Sequence, residues 1–302
     1  MPIYQKNSCP ICKTTSYKEL GKPEKGNKKI AIPDNSRIVI CTECNLIYVN
    51  PMPVWLSDDF SILYDDSYFD TLQNDPKWID IRENENIIAR HKRIKNHLTA
   101  KSNRLLEVGS GIFAFMSQYL SKKNWDVTAQ EPSESFYKTL TSSHKNIKTT
   151  NLPFLEMDEN QKYSLIYSDS VFEHVADPLA YITKSARLLE NGGILYFISP
   201  NEYSFINLIL SFCNKIKKGT VHCLSPYVFP YHLIGFSKRS LEISAKKSGL
   251  ELIQYLRRKD YYWFHVLKKV KNPLKYPASV ILYVMDLIGF GANLEIILKK
   301  RG

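Results

Sequence analysis

The sequence has no apolar leader and no uninterrupted apolar run of spanning length. Met1–Cys9 is polar and lacks the apolar centre of a signal peptide. Of two apolar stretches, Tyr203–Cys213 is too short to cross a bilayer. The other, Ala278–Leu298, is interrupted by Asp286, Asn293 and Glu295 and broken near its middle by Gly289 and Gly291. Both are expected to be packed elements, and the chain is expected to be cytoplasmic with no transmembrane segment. Peripheral membrane contact through Val280–Phe290 and nearby lysines is the weaker alternative. Internal repeats and low-complexity tracts are absent. Acids are scarce in one region only: Asn214 to Gly302 holds 17 Lys and Arg against 5 Asp and Glu, while the rest is balanced at 24 to 25. The net charge of +11 therefore belongs to the C-terminal third. A solvated basic face is the ordinary explanation. An acidic nucleotide-linked or phosphate-linked ligand, nucleic acid and an anionic membrane are the sharper ones. A chain of 302 residues has room for one large domain and a small appendage.

Four of the six cysteines form two pairs, Cys9-Pro-Ile-Cys12 and Cys41-Thr-Glu-Cys44, with 28 residues between the pairs. Two residues between sulfurs let one tight turn present both thiolates to one ion, and two such turns complete a tetrahedral zinc site. Arg37-Ile-Val-Ile is a strand running into the second turn, and Leu46-Ile-Tyr-Val leaves it, the layout of a zinc ribbon. Two disulfides would suit a secreted chain, which this is not expected to be. A closed four-thiolate site has no open position, so a zinc there is expected to be structural. Cys213 and Cys223 are expected to be ordinary buried thiols.

Beyond the ribbon, at 1–50, a linker and helical lid segment spans 51–101. It includes a helix from about Trp78 to Leu98 with Ile81, Ile87, Ile88, Ile94 and Leu98 near helical spacing. Strands then alternate with helices through 102–302. Strands are expected at Arg104–Val108, Trp125–Gln130, Ile147–Thr150, Ser164–Ser168, Ile194–Ser199, Leu250–Leu256 and Glu295–Leu298. Helices are expected at Phe113–Leu120 and Ser133–Leu140, from Asp177-Pro178 to a stop at Asn191-Gly192-Gly193, and from Ser237 to Gly249. This alternation predicts an α/β fold, Rossmann-like, with a mostly parallel sheet covered on both faces.

The strand Leu105-Leu106-Glu107-Val108 runs into Gly109-Ser110-Gly111. Two glycines one residue apart let the backbone bend and approach a ligand that a side chain would exclude. The acid can accept a hydrogen bond from a cationic amino group. A dinucleotide site would want a third glycine; Ile112, Phe113 and Ala114 follow instead, and Phe113 stands against close pyrophosphate approach. Glu131 ends the next strand, about 20 residues past the loop, where an acid suits both hydroxyls of a ribose. Pro132 and Ser133 turn the chain into the next helix.

Leu105–Gly111, Glu131, Tyr163–Pro178 and Leu188–Asn201 resemble the successive motifs of class I S-adenosylmethionine-dependent methyltransferases, over about 102–299. The Phe172-Glu173-His174-Val175 segment and the Gly192-Gly193 turn are the most specific parts. Tyr231–Ser237, followed by the helix to Gly249, is similar as well. The resemblance implies a domain binding S-adenosylmethionine at 102–302. Glu107 and the Gly109–Ser110–Gly111 backbone would hold the methionine end, and Glu131, with Pro132 beside it, the ribose. Asn151 and Leu152 would lie near the adenine, although the acid often found there is absent. Ser168, Asp169 and Ser170 would face cofactor and acceptor. A four-cysteine module ahead of such a domain is similar to methyltransferases acting on sugars in polysaccharide and antibiotic pathways. The larger sugar C-methyltransferases carry a further C-terminal domain, which this chain is expected to lack, and that stands against C-methylation.

Transfer to oxygen or carbon needs a base, and histidine suits neutral pH. His174 and His232 are the candidates, with a structural histidine tying a helix start as the alternative for His174 and a packing role for His232; His222 is a weaker third. Tyr68 is a candidate lid. The expected function is methyl transfer to a small molecule, a sugar or nucleotide-linked sugar of glycan biosynthesis. The alternatives are an RNA methyltransferase using the zinc module and the basic third, and a non-catalytic zinc-dependent interaction protein. Glu19, Glu24, Asp34 and Glu43 make the module a poor nucleic-acid platform, and no interleaved aromatic and basic pattern is present.

Overall fold

The computed structural model describes residues 3–5, 8–23, 33–54, 79–80, 86–221, 231–258, 280, 284–285 and 289–302. Its N-terminal part contains β1 (Ile3–Gln5), β2 (Tyr17–Pro23), β3 (Arg37–Cys41), β4 (Ile47–Asn50) and β5 (Met52–Val54). Then follow α1 (Ile87–His97), β6 (Arg104–Val108), α2 (Phe115–Ser121), β7 (Asp126–Gln130), α3 (Glu134–Ser143), β8 (Lys148–Thr150) and β9 (Tyr163–Asp169). The remainder comprises α4 (Pro178–Leu188), β10 (Leu189–Pro200), α5 (Phe205–Lys218), β11 (Thr220–Val221), β12 (Ile234–Gly235), α6 (Lys238–Lys247), β13 (Leu250–Arg258) and β14 (Asn293–Lys300).

The main sheet has seven strands in the order β13-β14-β10-β9-β6-β7-β8. From β10 to β8 every pairing is parallel, and β14 runs antiparallel to both neighbours. The expected α/β architecture is therefore present. Its central strands are buried on both faces, so alternate residues feed two cores. Leu106, Ile166, Leu195 and Phe197 point to one side with α4 and α6. Leu105, Leu165, Tyr167, Ile194 and Tyr196 point to the other, where Ile87 and Ile94 of α1 and Met116 and Leu120 of α2 meet them.

Local chemistry explains the element ends. Asp177 accepts a hydrogen bond from the Ala180 amide with Pro178 in the first turn, an N-cap in the expected place. Ser237 and Ser240 cap α6 reciprocally. Several expected boundaries shift by a few residues, and two of the shifts have a local cause. Helix α4 stops at Leu188, and Gly192-Gly193 lies inside β10, where its register against β9 shifts. Helix α2 begins at Phe115 because Gly111 to Ala114 form the turn, with Ala114 itself left-handed at φ +42°.

The ribbon strands do not close on themselves. They form a five-stranded sheet, β11-β2-β3-β4-β12, whose outer strands come from the far side of the chain. The core follows suit: Ile11, Ile38, Leu46 and Val49 belong to the same apolar cluster as Phe172, Phe197, Leu233 and Leu241. The apolar stretch Tyr203–Cys213 enters α5 at Phe205, after the N-cap Ser204, and Cys213 is exposed rather than buried. Among the described residues no helix is long and apolar enough to cross a membrane. Tyr68, His222 and Cys223 lie outside the described residues.

Candidate active site and metal centre

The carboxyl ends of β6, β7 and β9 gather the glycine loop, Glu131 and Ser168–Ser170 at one sheet edge, where ligands of open parallel sheets bind. The two glycines serve different needs. Gly109 is left-handed at φ +61°, and a Cβ there would lie 2.4 Å from Val171 Cγ2, so the loop is closed against the turn after β9. Gly111 is also left-handed, at φ +59°, but a Cβ there would meet nothing within 4 Å. The open side of the loop is thus at Gly111.

Glu107 is buried, and its two oxygens accept from the Met116 and Ser117 amides at 3.3 and 2.7 Å. It neutralises the positive start of α2 and shapes the loop from behind. Glu131 spans the loop's other end. Its Oε2 accepts from the Gly111 amide and its Oε1 from the Ser133 amide, both at 2.9 Å. Each oxygen retains acceptor capacity for a diol. Burial raises both carboxyls to about 7 against the downward pull of those amides.

Gln130 is a site residue that the motif reading missed. Its Oε1 accepts from the Gly109 amide at 3.1 Å, and its Nε2 donates to the Leu152 carbonyl at 2.9 Å. A polar residue closing a buried strand beside the acid was the available signal. Leu152 is half exposed, and Asn151 is exposed and donates to Glu134. Pro132 is exposed and Ser110 half-buried, its amide donating to the Gln130 carbonyl.

At the end of β9, Ser168 Oγ is buried without a hydrogen bond, and Ser170 is left-handed at φ +61°. Asp169 is held by Arg90 of α1, Nη1 to Oδ2 at 2.7 Å, and Arg90 also donates to the Tyr167 hydroxyl. Arg90 was missed because it lies within the apolar stripe of α1: Ile87, Arg90, His91 and Ile94 are all buried, while Ile88 points out.

His174 and His232 meet edge to face with ring centroids 4.6 Å apart. His174 Nδ1 lies 2.9 Å from the Tyr231 carbonyl, so that nitrogen carries the proton, and burial pushes the imidazole down to about 4. Glu173 is fully buried, and burial drives its carboxyl well above the usual range. Its backbone carbonyl accepts from the Leu233 and Ile234 amides, joining the turn after β9 to β12.

The four paired cysteines converge on one another. Cys9 and Cys44 sulfurs are 3.4 Å apart, as are Cys12 and Cys41, and all four sulfurs lie within 4.8 Å of one another. None is in a disulfide. The two turns are alike: the Lys13 amide donates to the Cys9 carbonyl and the Asn45 amide to Cys41, and both Lys13 and Asn45 are left-handed. These separations suit four thiolates around one ion at bonds of about 2.3 Å.

Residues 81–255 match the family model described as a methyltransferase domain. A ubiquinone biosynthesis O-methyltransferase of Coxiella burnetii is 28% identical over 177 residues, 55% of this chain and 70% of that protein. Two solved structures share the fold. Magnesium protoporphyrin IX methyltransferase from Synechocystis PCC 6803, with bound SAH, has a TM-score of 0.53 and 11% identity, covering 81% of this chain and 99% of that one. Phosphoethanolamine N-methyltransferase 2 of Haemonchus contortus, in complex with S-adenosyl-L-methionine, has a TM-score of 0.53 and 16% identity, covering 85% and 63%.

Proposed function

The chain belongs to the methyltransferase-domain family and is an S-adenosylmethionine-dependent methyltransferase; on that premise we propose that it methylates an oxygen of a small hydroxylated acceptor, a sugar or nucleotide-linked sugar. The pairing of His174 with His232 carries the oxygen assignment, because a neutral hydroxyl needs a base and an imidazole is the group for it near pH 7. The O-methyltransferase relative supports the same reading. The four-cysteine module ahead of the domain supports a sugar acceptor through its likeness to sugar methyltransferases. The basic C-terminal third suits an acidic, nucleotide-linked one.

In this reading S-adenosylmethionine supplies an electrophilic methyl group on sulfur. Glu131 accepts from the two ribose hydroxyls through the lone pairs its amide partners leave open. The bare Gly111 backbone admits close approach, and Leu152 offers an apolar surface beside the purine. Glu107 acts from behind the loop by fixing α2 rather than by direct contact. His232 takes the acceptor's proton on an imidazole nitrogen. His174 is a positioning residue: with Nδ1–H on the Tyr231 carbonyl and its basicity depressed, it stays neutral and holds the His232 ring edge-on. Four thiolates of Cys9, Cys12, Cys41 and Cys44 hold a structural zinc.

The test is methyl transfer from labelled S-adenosylmethionine to a panel of nucleotide sugars and free sugars. His232→Gln is expected to lower kcat by about a hundredfold with cofactor affinity unchanged. A variant with full kcat removes the base assignment. Saturable cofactor binding with no transfer to any sugar hydroxyl overturns the acceptor class.

A further inference from the structure

Helix α5 is built inside out. Leu208, Ile209, Phe212 and Ile216 are 50%, 45%, 68% and 70% exposed, while Asn207 on the opposite side is buried and donates to the Asn201 carbonyl. At 3.6 residues per turn, those four exposed side chains fall within an arc of about 100°. Lys215 and Lys217, both exposed, lie on either side of that arc. Phe290, also part-exposed, adjoins the start of the helix, its carbonyl accepting from the Phe205 amide. Water selects the reverse arrangement, so a contiguous outward apolar face marks a contact surface.

We propose that α5 docks flat on an anionic lipid bilayer, with its apolar arc among the acyl chains and its flanking lysines at the phosphate level. The chemistry fits one occupant. Large aliphatic and aromatic side chains enter the acyl boundary, and lysine stems lie along it while their ammonium groups reach the anionic headgroups. A helix of 14 residues is too short to cross, so it lies in the plane. The excess of basic residues after Asn214 adds longer-range attraction to the same surface.

The placement has a functional sense. Helix α5 follows the carboxyl end of β10, the sheet edge at which the glycine loop, Glu131 and Asp169 also stand. Docking there turns the mouth of the site toward the bilayer, where acceptors carried on lipids would be met. The docking itself does not depend on the acceptor's identity.

The experiment is flotation of the full chain with vesicles of phosphatidylcholine alone or with phosphatidylglycerol added, with cofactor affinity measured on the same samples. The expected result is flotation with the anionic vesicles, about tenfold less with neutral ones, and partial release by salt. Phe212→Ser with Ile216→Ser should lower flotation about tenfold, and Lys215→Glu with Lys217→Glu should abolish the preference for phosphatidylglycerol, both with unchanged cofactor affinity. Wild type that floats with neither vesicle overturns the proposal, as does a Phe212→Ser/Ile216→Ser variant that floats like wild type. So does a dimer that this variant splits without any flotation, which would give the face to a second copy. Loss of cofactor binding by wild type would instead sink the methyl-transfer reading and leave the flotation result standing.

Discussion

At the scale of single residues, the glycine pair separates a folding role from a binding role. Gly109→Ala drives a Cβ to 2.4 Å from Val171 and forces a left-handed alanine, so it should lower stability by about 2–4 kcal/mol. Gly111→Ala meets no protein atom and should lower stability by only about 1–2 kcal/mol from its left-handed backbone, yet weaken cofactor binding strongly. Urea melts and cofactor titrations of both variants check the contrast; equal binding losses at equal stability would break it. Glu131 adds a pH dependence. Burial raises its folded value from 4.5 to about 7. Between those values the cofactor-free fold holds a proton that the unfolded chain has released, so this group's contribution to stability falls as pH rises through the window. Ribose hydroxyls need the ionised form as acceptor, so cofactor affinity runs the other way and should be about tenfold weaker at pH 6 than at pH 8. Calorimetric titration at both values checks it. A flat profile, or one that persists in Glu131→Gln, would show that another group titrates.

At the scale of elements, much was legible because short local rules set it. Buried parallel strands read as apolar runs, and the Asp177-Pro178 and Ser237 caps announced α4 and α6. The paired cysteines announced two like turns, although the sulfurs meet across those turns, Cys9 with Cys44 and Cys12 with Cys41. What escaped the sequence rests on pairing at long range. Strands β11 and β12 are two residues each, too short for any periodic signal, and exist because β2 and β4 offer them an edge. Arg90 and His91 broke the apolar stripe of α1 and left its face ambiguous, whereas in the fold Arg90 is buried against Asp169 and Tyr167. Glu107 was expected at the methionine end of the cofactor because an acid beside a glycine loop has that use; its second role was not legible. Its engagement with the amides of α2 depends on where a helix nine residues later begins. Helix α5 read as packed because its residues are apolar, and only the fold reveals which way they point.

At the scale of the whole molecule, the four-cysteine module and the methyltransferase body are expected to melt as one. The module's sheet is completed by β11 and β12, and both cysteine turns are tied to later residues. Ser237 Oγ donates to the Cys44 carbonyl, the Tyr203 hydroxyl to Asn45, and Lys247 Nζ to Ile11. The path onward to the active site is short, since β12 begins two residues after His232 and the Leu233 and Ile234 amides hold the Glu173 carbonyl. Structural zinc in small modules contributes about 10–16 kcal/mol at neutral pH, as much as the whole stability of a domain, so its removal cannot be absorbed locally. Protein prepared without chelators should hold one zinc per chain. Stripping the metal, or replacing Cys41 by Ser, should lower a single calorimetric transition by about 10 °C or more and weaken methyl transfer beyond the loss of folded protein, because His232 loses its anchor. Two transitions, with the later one and the activity untouched, would instead show that the body stands without its module. Absence of zinc from the native protein would remove the metal altogether.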